Sequence, residues 1–162
     1  MSQSTLSRWL KGIILLVGAC GLAAYCWLLP QIARWILADA PEFQYCFIPW
    51  MVFMGLSALP CFAVLILSWR IARNIGEDRS FSMQNARLLQ GISILAAADA
   101  GLFFCGNILF LLLNMNHPGI VLAALGVVFF GIAVSVCTAG LSHLVQKAAV
   151  LQEQSDLTVG GE

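Results

Sequence analysis

Residues 120–142, with the sequence IVLAALGVVFFGIAVSVCTAGLS, form an apolar run without a single charged side chain. A helix needs about 20 such residues to cross the hydrocarbon core of a bilayer. Three further apolar runs of similar length lie at about residues 12–29, 47–69 and 88–113. The sequence therefore predicts an all-α fold, an integral membrane four-helix bundle.

The composition of the chain supports this fold class. Hydrophobic residues make up 60% of the sequence and charged residues 10%, with a mean hydropathy of +0.90. Soluble domains carry about 25% charged residues, so a water-soluble monomer is excluded. Four spans and their connections use nearly all of the 162 residues, which predicts a single domain over 1–162. Eight basic residues balance eight acidic ones, and this balance argues against direct binding of nucleic acid.

The distribution of basic residues predicts the orientation. Lysine and arginine are enriched in the cytoplasmic segments of membrane proteins. Arg34 is the only basic residue between the first two runs, and the acidic residues Asp39 and Glu42 follow it. We therefore expect cytoplasmic N- and C-termini, a cytoplasmic loop at 70–87, a cytoplasmic tail at 143–162 and an outer loop at 30–46. The basic residues on the predicted cytoplasmic side are Arg8, Lys11, Arg70, Arg73, Arg79, Arg87 and Lys147.

The outer segment has its own helical pattern. Ile32, Trp35 and Ile36 recur at helical spacing after Pro30. The segment is expected either to lie in the membrane interface or to continue the first helix beyond a kink at Pro30.

Asp99 is the costliest residue of the chain because an ionised carboxyl in lipid is unfavourable by several kcal/mol. No lysine or arginine lies at a matching position in another run, so we expect an uncharged carboxyl that donates a hydrogen bond. One interpretation is a proton or cation site facing the bundle interior. The other is helix packing, with Asp99 bonded to Ser135, Thr138 or carbonyls freed by Pro60. Packing is favoured because transport paths normally contain several ionisable groups.

A polar stripe follows the fourth run. Ser135, Thr138, Ser142 and Gln146 recur every three or four residues and so share one helix face. We expect this face to point into the bundle and to form hydrogen bonds between helices.

The six cysteines show no spacing typical of a metal site, and no metal or other cofactor is predicted. Cys26 and Cys46 lie near the outer surface in adjacent segments, where a disulfide between them is conceivable in an oxidising compartment. Such a pair would suit a four-helix thiol redox protein. Reduced cysteines that pack as small hydrophobic residues are the favoured interpretation.

The predicted cytoplasmic loop contains Arg70, Arg73, Arg79 and Arg87. These side chains could bind a soluble protein or anionic lipid headgroups, or they could serve only to set the topology. After the fourth run an apolar helical face continues through Leu144, Ala148 and Leu151, and it adds to the cytoplasmic surface.

The same region and the end of the chain contain a set of residues that recurs in a known family. These residues are Gly76, Phe81, Ser82, Asn85, Arg87, Leu88, Gly91, Ile92, Leu151, Glu153, Asp156, Leu157, Thr158 and Val159. With them the chain resembles the bacterial family named domain of unknown function 2975. The departure from the family pattern is Ser80, where members often have proline before the phenylalanine. The resemblance implies a small four-pass protein of the bacterial inner membrane, without known catalytic residues, whose gene often neighbours a small helix-turn-helix regulator.

The leading functional prediction is a non-enzymatic interaction or sensory component that binds a soluble cytoplasmic partner, such as a helix-turn-helix regulator. The alternative is a small transporter or proton-coupled component centred on Asp99, and a thiol redox protein is third. Membrane lipids are expected to surround the spans. Small residues on the helix faces would permit a homo-oligomer or a larger membrane complex.

Overall fold

The computed structural model describes residues 3–39 and 41–159, with side chains as far as Ser155. The described residues form α-helices α1 (Gln3–Ala23), α2 (Leu29–Asp39), α3 (Phe47–Gly76), α4 (Met83–Leu112) and α5 (Pro118–Val159). A π-helical turn, Ala24–Leu28, joins α1 to α2, and a 3₁₀ helix, Pro41–Cys46, precedes α3. No strand occurs in this part of the chain, and the predicted all-α class is confirmed.

Within the described residues, four helical segments are long and apolar enough to cross a membrane. They are Gln3–Asp39, Pro41–Gly76, Met83–Leu112 and Pro118–Ser155. Most of their large aliphatic and aromatic side chains point outward, where lipid would cover them. The predicted number of spans is therefore confirmed.

The first span continues through the segment that was predicted as an outer loop. Pro30 lacks a backbone N–H, and its ring would collide with the Cys26 carbonyl in a regular helix. The π-helical turn just before Pro30 accommodates this, with the Leu29 N–H bonded to the Ala24 carbonyl. Of the two alternatives for residues 30–46, continuation of the first helix is therefore the one observed through Asp39.

The helices also run past the predicted spans at the arginine-rich end. The predicted loop 70–87 is reduced to residues 77–82, and the predicted tail is helical to Val159. Apolar runs mark only the part of a helix that lipid can surround, whereas backbone hydrogen bonding continues into polar flanks. The Ser82 side chain caps α4 by accepting a hydrogen bond from the Asn85 N–H at 3.2 Å.

Consecutive spans are neighbours in the bundle. Within the described residues, α1 packs on α3, α3 on α4, and α4 on α5. The α4–α5 pair forms a hairpin with a short connection, which Asn114 helps to close with a positive φ of 54°. Small residues allow the close approach of helices. The buried alanines are Ala58, Ala72, Ala86, Ala100, Ala124 and Ala149.

Candidate functional site

Asp99 lies in the middle of α4, sixteen residues after Met83 and thirteen before Leu112. Its Oδ2 atom is 3.5 Å from the Cys61 sulfur on α3, and the thiol is placed to donate to it. Its Oδ1 atom is buried without a hydrogen-bond partner. A buried polar atom without a partner is unfavourable by about 1–3 kcal/mol, so this carboxyl is the least satisfied polar group described.

The π-helical turn brings a second span to the same place. It carries Tyr25, whose hydroxyl lies 3.5 Å from the Ser57 hydroxyl of α3, one helical turn from Cys61. Ser57 in turn donates to the Met54 carbonyl at 3.0 Å. We call Tyr25, Ser57, Cys61 and Asp99 the intramembrane cluster. It joins three of the four spans near mid-depth.

The predicted polar site of Asp99, Ser135 and Thr138 is not assembled as one group. Ser135 donates to the Ser93 carbonyl at 2.9 Å, and Thr138 bonds within its own helix to the Val134 carbonyl at 2.8 Å. Six residues separate Ser93 from Asp99, which places the two side chains about 120° apart around α4. Ser93 therefore faces α5, whereas Asp99 faces α3 and contacts Cys61, the residue after Pro60.

The polar stripe of α5 packs against α4, as expected for Ser135 and Ser142. Ser142 donates to the Ala86 carbonyl at 2.7 Å, near the arginine-rich end. Hydrogen bonds of this kind in membrane helices contribute about 1 kcal/mol or less each. Ser135 and Ser142 therefore contribute to helix packing, whereas Thr138 bonds within α5 and Gln146 is exposed.

The second region of interest is the end of the bundle that holds most of the cations, which we call the basic end. All four predicted arginines are exposed there. Glu77 pairs with Arg73 at 3.4 Å and with Arg79 at 3.6 Å. Exposed pairs contribute about 0–1 kcal/mol, so they leave these guanidinium groups accessible to a partner. Neither Arg70 nor Arg87 forms an ion pair with a described residue.

A buried amide pair holds the connection between α3 and α4, and sequence reasoning missed half of it. Asn74 donates to the Asn85 side-chain oxygen at 2.7 Å. The Asn85 amide donates to the carbonyls of Arg79 and Ser80, both at 3.0 Å. Asn85 is 2% exposed and Asn74 5%. The sequence signal for this pair is two asparagines eleven residues apart on either side of a short loop. A buried amide must find hydrogen-bond partners, so each asparagine is a candidate partner for the other.

The start of α1 is tied to the same region. Ser7 donates to the Ala72 carbonyl at 2.6 Å, and Ser80 donates to the Gln3 side chain at 2.7 Å. The Ser7 hydroxyl also occupies the space where a side chain at Gly76 would lie. The start of α1 is thus bonded both to α3 and to the connection 77–82.

The extension of α5 completes a groove at the basic end. Ala149 is buried, whereas Leu144 and Leu151 are 63% and 66% exposed. Phe81 is also exposed, at 59%. The groove has a volume of about 400 Å³, and its walls combine apolar, basic and acidic side chains. They are Asp78, Arg79, Phe81, Ser82, Ala149, Gln152 and Glu153.

All six cysteines are free in the structure. Cys26 is exposed and Cys46 is buried, so the disulfide between them stays a prediction. Across residues 3–39 and 41–159, no group of three or more His, Cys, Asp or Glu side chains is placed to hold a metal ion.

At the opposite end of the bundle, two further asparagines bond across the α4–α5 connection. Asn107, which sequence reasoning also missed, donates to the Phe103 carbonyl at 2.8 Å. It accepts a hydrogen bond from Asn116 at 3.1 Å. Trp50 donates to the Met115 carbonyl at 2.9 Å. The asparagine bonds hold the α4–α5 connection, and the Trp50 bond fastens that connection to α3.

Comparison with known proteins agrees with the resemblance in the sequence. Residues 32–159 match the family described as protein of unknown function (DUF2975). The chain is also 27% identical over 155 residues to the uncharacterized membrane protein YoaS of Bacillus subtilis (strain 168), covering 93% of this chain and 96% of YoaS. No solved structure matches the chain. The match and the four spans identify a multi-pass protein of the bacterial cytoplasmic membrane. The chain therefore belongs to the DUF2975 family of membrane proteins, whose function is unknown.

Proposed function

We propose that this protein is a non-enzymatic regulatory component of the membrane whose basic end binds a soluble cytoplasmic partner. The observation that carries the proposal is the groove between residues 77–82 and the C-terminal part of α5. Residues 118–159 span about 63 Å at 1.5 Å per residue, roughly twice the 30 Å of a bilayer core. A large part of α5 therefore lies outside the membrane and is available for binding.

Rigidity of the connection supports a binding role. Its backbone is fixed by Asn85, and its flanks by Ser7 and Ser142. A surface that is already ordered loses less conformational entropy when a partner binds. A connection that served only to set the topology would not need these buried hydrogen bonds.

The chemistry of the surface suggests the kind of partner. Exposed Phe81 and Leu151 provide apolar contact, and the surrounding arginines favour an acidic surface. A small helix-turn-helix regulator with an acidic helix on the face away from its DNA-binding surface would fit. Members of the family often have such a gene beside their own, which is the reason for naming this class.

The test is the affinity of a purified small helix-turn-helix regulator with an acidic surface helix for the protein in phosphatidylcholine nanodiscs. Replacing Arg73, Arg79 and Arg87 together with glutamine should weaken binding about tenfold. This figure follows from about 0.5 kcal/mol for each exposed charge contact. Arg34→Gln, an exposed change at the opposite end, is the matched control and should have no effect.

The groove is tested separately with Phe81→Ser, which removes apolar contact without changing charge. The proposal predicts that Phe81→Ser weakens binding by the same factor at low and high salt. The loss of affinity caused by the arginine substitutions should instead diminish at high salt. Equal affinity of the wild type and all variants, or no binding by the wild type, would contradict the proposal.

A further inference from the structure

The intramembrane cluster has a chemistry that the proposed function does not use. Asp99 is the only charged residue between Arg87 and Lys147. The apolar parts of the other two spans that meet it, residues 12–33 and 43–69, contain no charged residue. Among the described residues no basic side chain forms an ion pair with it. An ionised Asp99 would therefore lack a counter-charge in a region where it needs one.

A proton bound to the carboxyl would neutralise Asp99, and a cationic ligand beside it would supply the missing counter-charge. We propose that the intramembrane cluster binds a membrane-soluble amine, which takes the proton of Asp99 and is held as an ammonium ion beside the carboxylate. The amine nitrogen forms an N–H bond as the carboxyl O–H bond breaks, so no charge has to enter the membrane. The Tyr25 hydroxyl, which meets α3 at Ser57, one helical turn from Cys61, accepts a hydrogen bond from the ammonium group.

The surroundings of the cluster favour a ligand from the bilayer over one from water. Toward the basic end, Phe62 packs against Gly21 and Leu65 packs against Gly18. These contacts leave apolar side chains between the cluster and that end of the bundle. A hydrated metal ion would have to lose its water to pass them.

The opposite end is closed by an aromatic group. The ring of Phe53 stacks on Phe103, with centroids 5.5 Å apart, and meets the edge of Phe110 at 5.3 Å. Trp50 packs against Phe53 and Phe110, at 5.8 and 5.0 Å. These four rings lie between the cluster and the α4–α5 connection, and they separate it from water on that side.

The intramembrane cluster is open toward the side of the bundle that faces lipid. Cys61 is exposed, and Tyr25 and Asp99 are half-buried, so the cluster reaches the surface that lipid contacts. The rings of Tyr25 and Phe62, 6.5 Å apart, add aromatic surface next to the carboxyl. Aromatic faces attract an ammonium group by about 0.5–2 kcal/mol. An amine with a long apolar chain fits the carboxyl, the aromatic surface and the opening toward lipid.

The experiment uses wild-type protein in phosphatidylcholine nanodiscs with two probes of matched length, dodecylamine and dodecanol. Infrared difference spectra follow the carbonyl band of a protonated carboxylic acid. Dodecylamine should remove this band from the wild type and from Asp39→Asn, the exposed control. Dodecanol should leave it in place, because an alcohol does not take the proton. This comparison requires no substitution at the cluster.

A binding measurement supplies the second arm. Asp99→Asn should bind dodecylamine at least about tenfold more weakly than the wild type, since it loses a charge-assisted hydrogen bond, while Asp99→Glu should retain binding. Helical circular dichroism confirms that each variant is folded. An acid band unchanged by dodecylamine, equal loss with dodecanol, or equal binding by Asp99→Asn would overturn the inference. None of these outcomes bears on partner binding at the basic end, so the two proposals fail independently.

Discussion

Replacing Asn85 with alanine should destabilise the basic end more than any other single polar truncation there. The Asn85 side chain takes part in three hydrogen bonds, with Asn74, Arg79 and Ser80, and it is 2% exposed. At about 1 kcal/mol for each bond, the loss is about 3 kcal/mol. Asn74→Ala removes only one of the three, so its expected loss is about 1 kcal/mol.

The free energy of unfolding can be measured by titrating detergent-solubilised protein with SDS and following helical circular dichroism. Gln84→Ala is the matched control, because Gln84 is exposed and lies next to Asn85 in α4. The reasoning is refuted if Asn85→Ala differs from the control by less than about 0.5 kcal/mol, the range of ordinary surface substitutions. Equal losses for Asn74→Ala and Asn85→Ala would refute the assignment of the two backbone bonds to Asn85.

Two further predictions concern packing and the cysteines. Gly106→Leu should reduce stability by several kcal/mol, because a side chain there would overlap the ring of Phe53, whereas Gly101→Leu, with open space beside it, should be close to neutral in the same SDS titration. Thiol counting in acid-quenched, denatured protein should give the same number of reactive cysteines with and without reductant, as the free sulfurs indicate. Two additional thiols after reduction would instead support the disulfide between Cys26 and Cys46.

The number and kind of helices could be predicted from the sequence because lipid imposes a simple requirement. Every crossing needs a long apolar helix, and the four runs show it directly. The cap at Ser82 was also predictable, since a serine three residues before Asn85 is a local signal. The extent of the helices beyond the membrane was not predictable from hydropathy, because polar flanks such as Arg70 remain helical without an apolar requirement.

The partner of Asp99 was harder to predict than its importance. Its place in an apolar run identified it, but the sequence does not state which helix face meets which neighbour. The packing interpretation gives Ser135, Thr138 or carbonyls freed by Pro60 as partners of Asp99. In the structure Asp99 contacts Cys61, and Ser93 occupies the α5-facing side of α4. The role of Tyr25 depends on a π-helical turn, and hydropathy shows no such turn.

The most direct test of the account is the side of the membrane on which each end of α5 lies. In a cysteine-free background, His117→Cys and Ser155→Cys are treated in intact cells with a membrane-impermeant maleimide. We predict labelling of position 117 from outside, and labelling of position 155 only after the cells are permeabilised. Labelling of position 155 in intact cells, or the same pattern at both positions, would contradict four crossings with the basic end in the cytosol.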